Sequence, residues 1–269
     1  MKTTLPDICL LDVGGTFIKC SDGRQVPVPS AGSREEISAA FREAVGDVSC
    51  LKGIGVSIPG PFDYGAGIFL MKHKYAAVYG ESFRELAGVP AEVPLKYMHD
   101  VNAPLLGAVK LLGAEDRNVA LVTLGTGLGF SYSLKGEVQT NEKGSPARNL
   151  WNLPFEGGIL EDRISARGIC KAYYNLSSLS MTAEETAKRA YGEDHNAIQV
   201  FAETGALLGQ ALKPIVDELQ LQTMLMGGQV SRSLSLMLEP LKKELPGISV
   251  SPLPDNAVFA GLESLFISQ

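Results

Sequence analysis

Two segments of the chain repeat one pattern of apolar and polar positions about 110 residues apart. Residues 8–24 read ICLLDVGGTFIKCSDGR, and residues 119–137 read VALVTLGTGLGFSYSLKGE. Each segment is an apolar run, a loop of Gly and Thr, a second β-branched or aromatic run, and a turn that contains Gly. The repeat predicts two strand–loop–strand units in a duplicated domain, with two loops suited to bind phosphate.

The glycines of these loops have two interpretations. In a dinucleotide-binding fold such glycines would join a strand to a helix. Here FIKCSDG and FSYSLKG follow the loops, and their Asp-Gly and Lys-Gly ends are typical of hairpins. At hairpin tips the glycines either let the backbone cradle an anion or only form a tight turn with positive φ. They are Gly14, Gly15, Gly125, Gly127 and Gly129.

The remaining periodicity predicts alternating strands and helices, and therefore an α/β protein. We expect two lobes, residues 1–115 and 116–269, with the last helix able to pack back on the first lobe. The predicted strands are 53–60 and 223–228, and the predicted helices are 36–46, 102–112, 159–175, 182–191, 197–219 and 231–245.

Composition excludes several classes of protein. The 269 residues carry a net charge of −6 without a basic cluster, which argues against a nucleic-acid partner. No apolar run reaches the length of a membrane span, and MKTTLPDICLL does not resemble a signal peptide. The four cysteines are too scattered for a zinc site and are typical of a reduced, cytoplasmic protein.

Five motifs in order resemble those of the ROK family of sugar kinases. LLDVGGTFIK resembles the first phosphate motif, GIGVSIPGPFDYGAGIF the Pro-Gly-Pro-x-Asp segment, and MHDVNAPLLGA the strand–helix junction that carries the catalytic Asp. LGTGLGF resembles the second phosphate motif, and MGGQVS the adenosine motif. The resemblance implies two actin-like (ribonuclease H-like) lobes, with a cleft for nucleotide and sugar between them.

The resemblance also implies roles for individual residues. It predicts Mg²⁺-dependent transfer of a phosphoryl group from ATP to a sugar hydroxyl, with Asp12 as the metal-binding residue. Asp12 has the alternative role of an Asp that satisfies N–H groups of a turn, and Lys19 that of a solvated strand residue. The implied nucleotide-binding residues are Asp12, Gly14, Gly15, Thr16, Lys19, Gly125, Thr126, Gly127, Gly227 and Gly228; the implied sugar-binding residues are Pro59, Gly60, Asp63, His99, Asp100, Glu142, Ser145 and Glu161.

Asp100 is the predicted catalytic residue. It follows the apolar run VPLKYM and precedes the helix that begins near Asn102, at a strand end where α/β folds bind ligands. There it could accept the proton of the attacking hydroxyl. The alternative is an N-cap for the helix, and Asn102 is better placed for that role.

The sugar-binding residues depart from the family at two positions. His99 stands where the family has Asn, and Glu142-Lys143-Gly144-Ser145 replaces its Glu-x-Gly-His. The Cys-rich zinc loop is absent, so no structural zinc is expected. The altered ligands put glucose itself in doubt and keep a second hypothesis open, a sugar sensor of the same fold without turnover. The resemblance also allows a homodimer, because family members are often dimers or tetramers.

Overall fold

The computed structural model describes residues 5–267, which divide into two compact units. The first unit comprises residues 5–113, 138–147 and 254–267, and the second comprises residues 114–137 and 148–253. The first segment of the first unit therefore ends at residue 113, two residues before the predicted end of the first lobe at residue 115. It also assigns the segment 138–147 and the end of the chain to the first unit. Within residues 5–267, no helix combines the length and apolar character needed to cross a bilayer.

The first unit is a mixed sheet with helices packed against it. Its strands are β1 Ile8–Val13, β2 Phe17–Cys20, β3 Gln25–Pro27, β4 Gly53–Ile58, the short pair β5 Phe62–Asp63 and β6 Ile68–Phe69, and β7 Leu95–His99. Its helices are α1 Arg34–Val45, α2 Phe83–Ala87, α3 Asn102–Leu111 and a 3₁₀ turn, Ala76–Val78. The sheet order is β3-β2-β1-β4-β7, with β1, β4 and β7 parallel.

The second unit repeats this sheet. Its strands are β8 Val119–Leu124, β9 Leu128–Leu134, β10 Glu137–Val138, the pair β11 Pro154–Phe155 and β12 Gly158–Ile159, β13 Thr223–Gly227 and β14 Ser249–Pro252. Its helices are α4 Glu161–Ile164, α5 Ala166–Ser177, α6 Ala183–Tyr191, α7 His195–Leu219, the 3₁₀ turn Val230–Ser233, and α8 Leu234–Glu244. The order β10-β9-β8-β13-β14 matches the first sheet strand for strand, and the predicted duplication is visible in it.

Both glycine loops lie at hairpin tips, as predicted. β1 and β2 pair antiparallel from Leu11 with Cys20 to Val13 with Ile18. β8 and β9 pair antiparallel as far as Leu124 with Leu128. Apolar side chains that alternate along these strands enter separate cores, one in each unit.

Some predicted elements need correction. The segment 159–175 is two helices, because Ser165 is extended (φ −75°, ψ 176°) between α4 and α5. Asn102 is not an N-cap: it is the first residue of α3, and Val101 precedes it without a side-chain cap. Helix α1 begins two residues before its predicted start because Ser33 and Glu36 form a capping box.

A final helix, α9 Ala257–Glu263, packs against α3 in the first unit. The two helices approach so closely that only glycine fits at the crossing. A Cβ on Gly107 would lie 1.8 Å from the carbonyl oxygen of Ala257, and one on Gly261 would lie 1.9 Å from that of Ala103. This crossing fixes α3, whose N-terminus follows Asp100 by two residues.

Candidate functional site

Three parallel strands of the first unit bring polar residues to one edge of the sheet. β1 ends just after Asp12, β4 ends at Ile58 before Pro59 and Gly60, and β7 ends at His99 before Asp100. Carboxyl ends of parallel strands are where open α/β sheets bind ligands. The sequence motifs that are distant along the chain therefore meet at this edge.

Asp12 is a largely buried carboxylate with weak compensation. Strand register places it between Lys19 on β2 and Ser57 on β4. The Ser57 hydroxyl donates to its Oδ1 at 3.3 Å, and Lys19 Nζ lies 3.7 Å from its Oδ2. Burial raises the pKa of Asp12 above its ordinary value; Lys19 opposes that effect and the negative charge of Asp100 adds to it. Asp12 therefore favours a nearby positive charge.

The first loop directs its carbonyl groups into the protein and leaves N–H groups free. The carbonyls of Gly14, Gly15 and Thr16 accept hydrogen bonds, in that order, from the Tyr75 hydroxyl, the Ser30 hydroxyl and the Val28 N–H. Among the described residues, the N–H groups of Gly15 and Thr16 have no hydrogen-bond partner. Successive unpaired N–H groups of this kind form an anion-binding concavity.

The glycines of the two loops are not required by positive φ. Gly14, Gly15, Gly125 and Gly127 all lie outside the left-handed region, so the tight-turn alternative is wrong for them. A Cβ on Gly14 or Gly127 would approach another group within 3 Å. A Cβ on Gly125 would meet nothing within 4 Å, and one on Gly15 would only touch the side chain of Lys74 at 3.5 Å. The fold therefore leaves open space beside Gly15 and Gly125, where a ligand could approach the backbone.

Asp100 lies in the turn between β7 and α3 with a partly exposed carboxylate. Its side chain is 39% exposed, and its Oδ1 lies 2.8 Å from Nδ1 of His99. The same Nδ1 can instead accept a hydrogen bond from the Val101 N–H at 3.3 Å, in the neutral tautomer that carries its proton on Nε2. His99 thus contacts the predicted base directly, and its Nδ1 donates to Asp100 whenever that nitrogen carries a proton, in the neutral Nδ1–H tautomer or in the imidazolium.

Two segments that carry predicted sugar-binding residues lie beside the turn or the start of α3. A Cβ on Gly60 would lie 3.3 Å from His99 Nε2, which puts the Pro59-Gly60 segment beside the imidazole. The Asn102 side chain donates to the carbonyl of Gly144 and so holds the segment that carries Glu142 and Ser145 next to α3. Glu142 is exposed and Ser145 is half-buried.

Asp63, a predicted sugar-binding residue, forms hydrogen bonds within a turn. Its Oδ1 accepts the N–H groups of Gly65 and Ala66 and closes the turn between β5 and β6. These two hydrogen bonds explain Oδ1 of Asp63 as part of the turn. The role of Asp63 in sugar binding stays a prediction.

The second loop has the same character as the first. Gly125 bonds internally to Gly127, and among the described residues the N–H groups of Thr126 and Gly127 lack a partner. Glu161 braces the loop: its Oε2 accepts the Leu128 N–H at 2.8 Å, and its Oε1 pairs with Arg167 at 2.8 Å. The structure thus places Glu161 in the second unit against the second glycine loop, and its predicted contact with sugar stays a prediction.

A cavity of about 380 Å³ lies beside this loop, entirely within the second unit. Its volume falls in the range of small-molecule sites, and its wall combines apolar residues with polar and charged ones. Gly228, with φ 85°, forms the turn after β13, where any Cβ would lie 2.3 Å from the carbonyl oxygen of Leu124. Gly227 precedes it at the end of the strand. The lining residues include Gly125, Thr126, Glu184, Lys188, Tyr191, Phe201, Gln229 and Arg232.

Sequence reasoning missed the α6 side of this cavity. Glu184 and Lys188 pair at 2.7 Å on α6, one helical turn apart, and Tyr191 follows on the same face. In the sequence, these residues are typical of an ordinary solvent-exposed helix face. Only the packing of α6 near the second loop makes them part of the wall of this cavity.

Within residues 5–267, no three His, Cys, Asp or Glu side chains are grouped so as to hold a metal ion. Mg²⁺ in nucleotide enzymes commonly needs only one or two carboxylates, with phosphates and waters as the other ligands. The buried Asp12 carboxylate beside the first loop fits that type of site.

Comparisons with known proteins agree with this architecture. No family model matches the chain. A glucokinase from Halalkalibacterium halodurans is 23% identical and aligns over 93% of this chain and 88% of its own length. Among solved structures, the ROK hexokinase from Thermus thermophilus superimposes with a TM-score of 0.75 at 20% identity, over 95% of this chain and 97% of that one.

A second solved structure is a ROK family glucokinase from Streptomyces griseus in complex with glucose and AMPPNP. It superimposes with a TM-score of 0.76 at 19% identity, over 95% of this chain and 97% of that one. The predicted α/β class and the actin-like fold of the ROK sugar kinases are thereby confirmed. The resemblance read from the five motifs is confirmed with them.

Proposed function

We propose that this protein transfers the terminal phosphoryl group of ATP to a hydroxyl of a hexose or a related sugar. The observation that carries the proposal is the open space beside Gly15 and Gly125, in loops with unpaired N–H groups at equivalent hairpins of two matching sheets. Each of these loops suits a phosphate group of a ligand. The similarity to a glucokinase, and to a glucokinase structure that contains glucose and AMPPNP, supports the same reaction.

Asp100 is the proposed general base. Its carboxylate is exposed enough to meet a substrate hydroxyl, and α3 and the β7 strand hold its backbone. By accepting the hydroxyl proton it would orient the oxygen toward the phosphoryl group, an effect typically worth about 10²–10⁴-fold in rate. Phosphoryl transfer otherwise relies on positioning and on neutralisation of charge.

In the second unit, the nucleotide would use the cavity and the second loop. We assign the adenosine part to the cavity beside Gly227 and Gly228, and phosphate binding to the N–H groups of each loop within its own unit. Asp12 would hold Mg²⁺, which neutralises phosphate charge when bound. Lys19, at 3.7 Å from Asp12, limits the cost of that buried carboxylate before the metal binds.

The sugar would bind around the turn that carries Asp100. His99 and the Pro59-Gly60 segment lie beside this turn, and Asn102 holds the Gly144-Ser145 segment near it. A site that hydrogen-bonds hydroxyls discriminates strongly between sugars. His99, where the family has Asn, and Ser145, where it has His, therefore point to a hexose derivative or polyol that differs from glucose.

The test is release of ADP from Mg²⁺-ATP in the presence of hexoses, N-acetylhexosamines and polyols in turn. Asp100→Asn should lower kcat on the active sugar by at least about 100-fold, since it removes the base while it keeps the shape. Asp116→Asn is the matched control, because Asp116 is 86% exposed and belongs to neither site. A loss of less than tenfold in Asp100→Asn would refute the assigned base.

The sensor hypothesis predicts a different outcome of the same experiment. A protein that binds sugar without turnover would release no ADP with any sugar, yet one sugar would raise its melting temperature. The cytoplasmic location and a homodimeric state stay predictions from the sequence.

A further inference from the structure

Lys74 places a positive charge beside the first glycine loop. Its Cε and Nζ both lie 3.5 Å from the position that a Cβ would occupy on Gly15. The side chain is exposed, so the contact is not the result of burial in the core. Lys74 therefore borders the open space next to the unpaired N–H groups of Gly15 and Thr16.

The backbone next to Lys74 is fixed to this loop. Tyr75 is fully buried, in the left-handed region with φ 55°. Its hydroxyl donates to the carbonyl of Gly14, and its N–H donates at 2.7 Å to the carbonyl of Ser30. The Ser30 hydroxyl in turn donates at 2.6 Å to the carbonyl of Gly15. Because these bonds tie residue 75 to the loop on two sides, Lys74 is held beside it rather than on a free segment.

The neighbouring cations are already engaged, and Lys74 is not. Lys19 pairs with Asp12, and Lys72 lies 5.1 Å from the centre of the Tyr79 ring. Among residues 5–267, Lys74 forms no ion pair. An unpaired ammonium group next to free N–H donors matches the chemistry of a phosphate group.

We propose that Lys74 binds the terminal phosphate of the nucleotide and stabilises its charge during transfer. The inference rests on the proposed function, and it adds a residue that none of the five motifs contains. The terminal phosphate is assigned because the first loop shares its unit with Asp100: the loop follows β1 and Asp100 follows β7, and these parallel strands end at the same edge of one sheet. Lysine acts there as a point charge, which is most effective where negative charge accumulates.

The experiment compares AMPPNP and ADP, each with Mg²⁺, by isothermal titration calorimetry on wild type, Lys74→Met and Lys74→Arg. Lys74→Met should weaken AMPPNP at least about tenfold and ADP less than about threefold, because a charge-assisted hydrogen bond is lost only with the terminal phosphate. Lys74→Arg keeps the charge and should retain most of the preference for AMPPNP. Lys72→Met is the matched control and should leave both affinities within about twofold of wild type.

Two outcomes would overturn the inference. One is an equal loss for AMPPNP and ADP in Lys74→Met, and the other is an equal effect of Lys72→Met. The proposed function fails separately, if wild type phosphorylates no sugar. In that case Lys74→Met can still weaken AMPPNP more than ADP, and the role of Lys74 in binding stands. If wild type is an active kinase and Lys74→Met changes neither affinity, only the role of Lys74 is refuted. Because Lys74 is exposed, both Met variants should melt within a few degrees of wild type.

Discussion

Replacing Asp12 by Asn should make the protein more stable while it removes activity. Asp12 is largely buried, and its compensating contacts are weak: a serine donor at 3.3 Å and a lysine Nζ at 3.7 Å whose side chain is 60% exposed. An exposed ion pair of this kind contributes about 0–1 kcal/mol, less than the cost of a buried carboxylate. We expect Asp12→Asn to raise the free energy of unfolding by about 1 kcal/mol at pH 7.

The direction of the pKa shift of Asp12 determines how the stability difference between variant and wild type should change with pH. Because the folded protein raises the pKa of Asp12, the folded state holds that proton more tightly than the unfolded state does. The stability associated with protonated Asp12 is present below the unfolded pKa, about 4, and is lost as pH rises through the folded value. Asn resembles the protonated form, so the advantage of the variant should be largest at neutral pH and vanish toward about pH 4.

The assay is urea unfolding of wild type and variant from pH 4 to pH 8, followed by far-ultraviolet circular dichroism. Circular dichroism follows the helices and strands of both units, whereas the single tryptophan, Trp151, lies in the second unit. Asp194→Asn is the matched control with the opposite sign. The Ala197 N–H and the Tyr173 hydroxyl lower the pKa of Asp194, so its carboxylate stabilises the fold at neutral pH.

Either of two results would refute this account of Asp12. The variant could be less stable than wild type at pH 7, which would mean that the serine and lysine contacts outweigh burial. Alternatively, its advantage could persist unchanged at pH 4, which would mean that ionisation of Asp12 is not its source.

Two further substitutions of glycine separate nucleotide binding from packing. The methyl group of Gly125→Ala would meet no atom within 4 Å, and the position needs no positive φ, so the variant should melt like wild type. Calorimetry should show that AMPPNP binds at least about tenfold more weakly, because the methyl group occupies the space through which the phosphate approaches the backbone. Gly107→Ala should lower the free energy of unfolding by about 2 kcal/mol in urea titrations, since overpacking against the Ala257 carbonyl exceeds the roughly 1 kcal/mol gain in helix propensity. Gly158→Ala, whose Cβ would have its nearest neighbour at 4.0 Å, is the control for both.

The sequence by itself determined the duplication, the two hairpins with their glycine loops, and the order of the five motifs. These features depend on local chemistry: apolar runs of strand length, Gly-containing turns, and a Pro-Gly-Pro segment after a buried strand. Each can be read from a few neighbouring residues. The actin-like fold was implied by the resemblance of these motifs to the ROK family, and the solved structures confirm it.

The tertiary structure decided how distant segments meet. It showed that a Cβ would fit beside Gly15 and Gly125 but would come within 3 Å of another group at Gly14 and Gly127, a difference that no sequence pattern reveals. It placed Lys74 beside a loop about 60 residues away in sequence, and Glu161 against the second loop. It also assigned Asn102 to the Gly144 carbonyl instead of a helix cap. Contacts between residues far apart in the chain depend on packing, and packing leaves no periodic signal in the sequence.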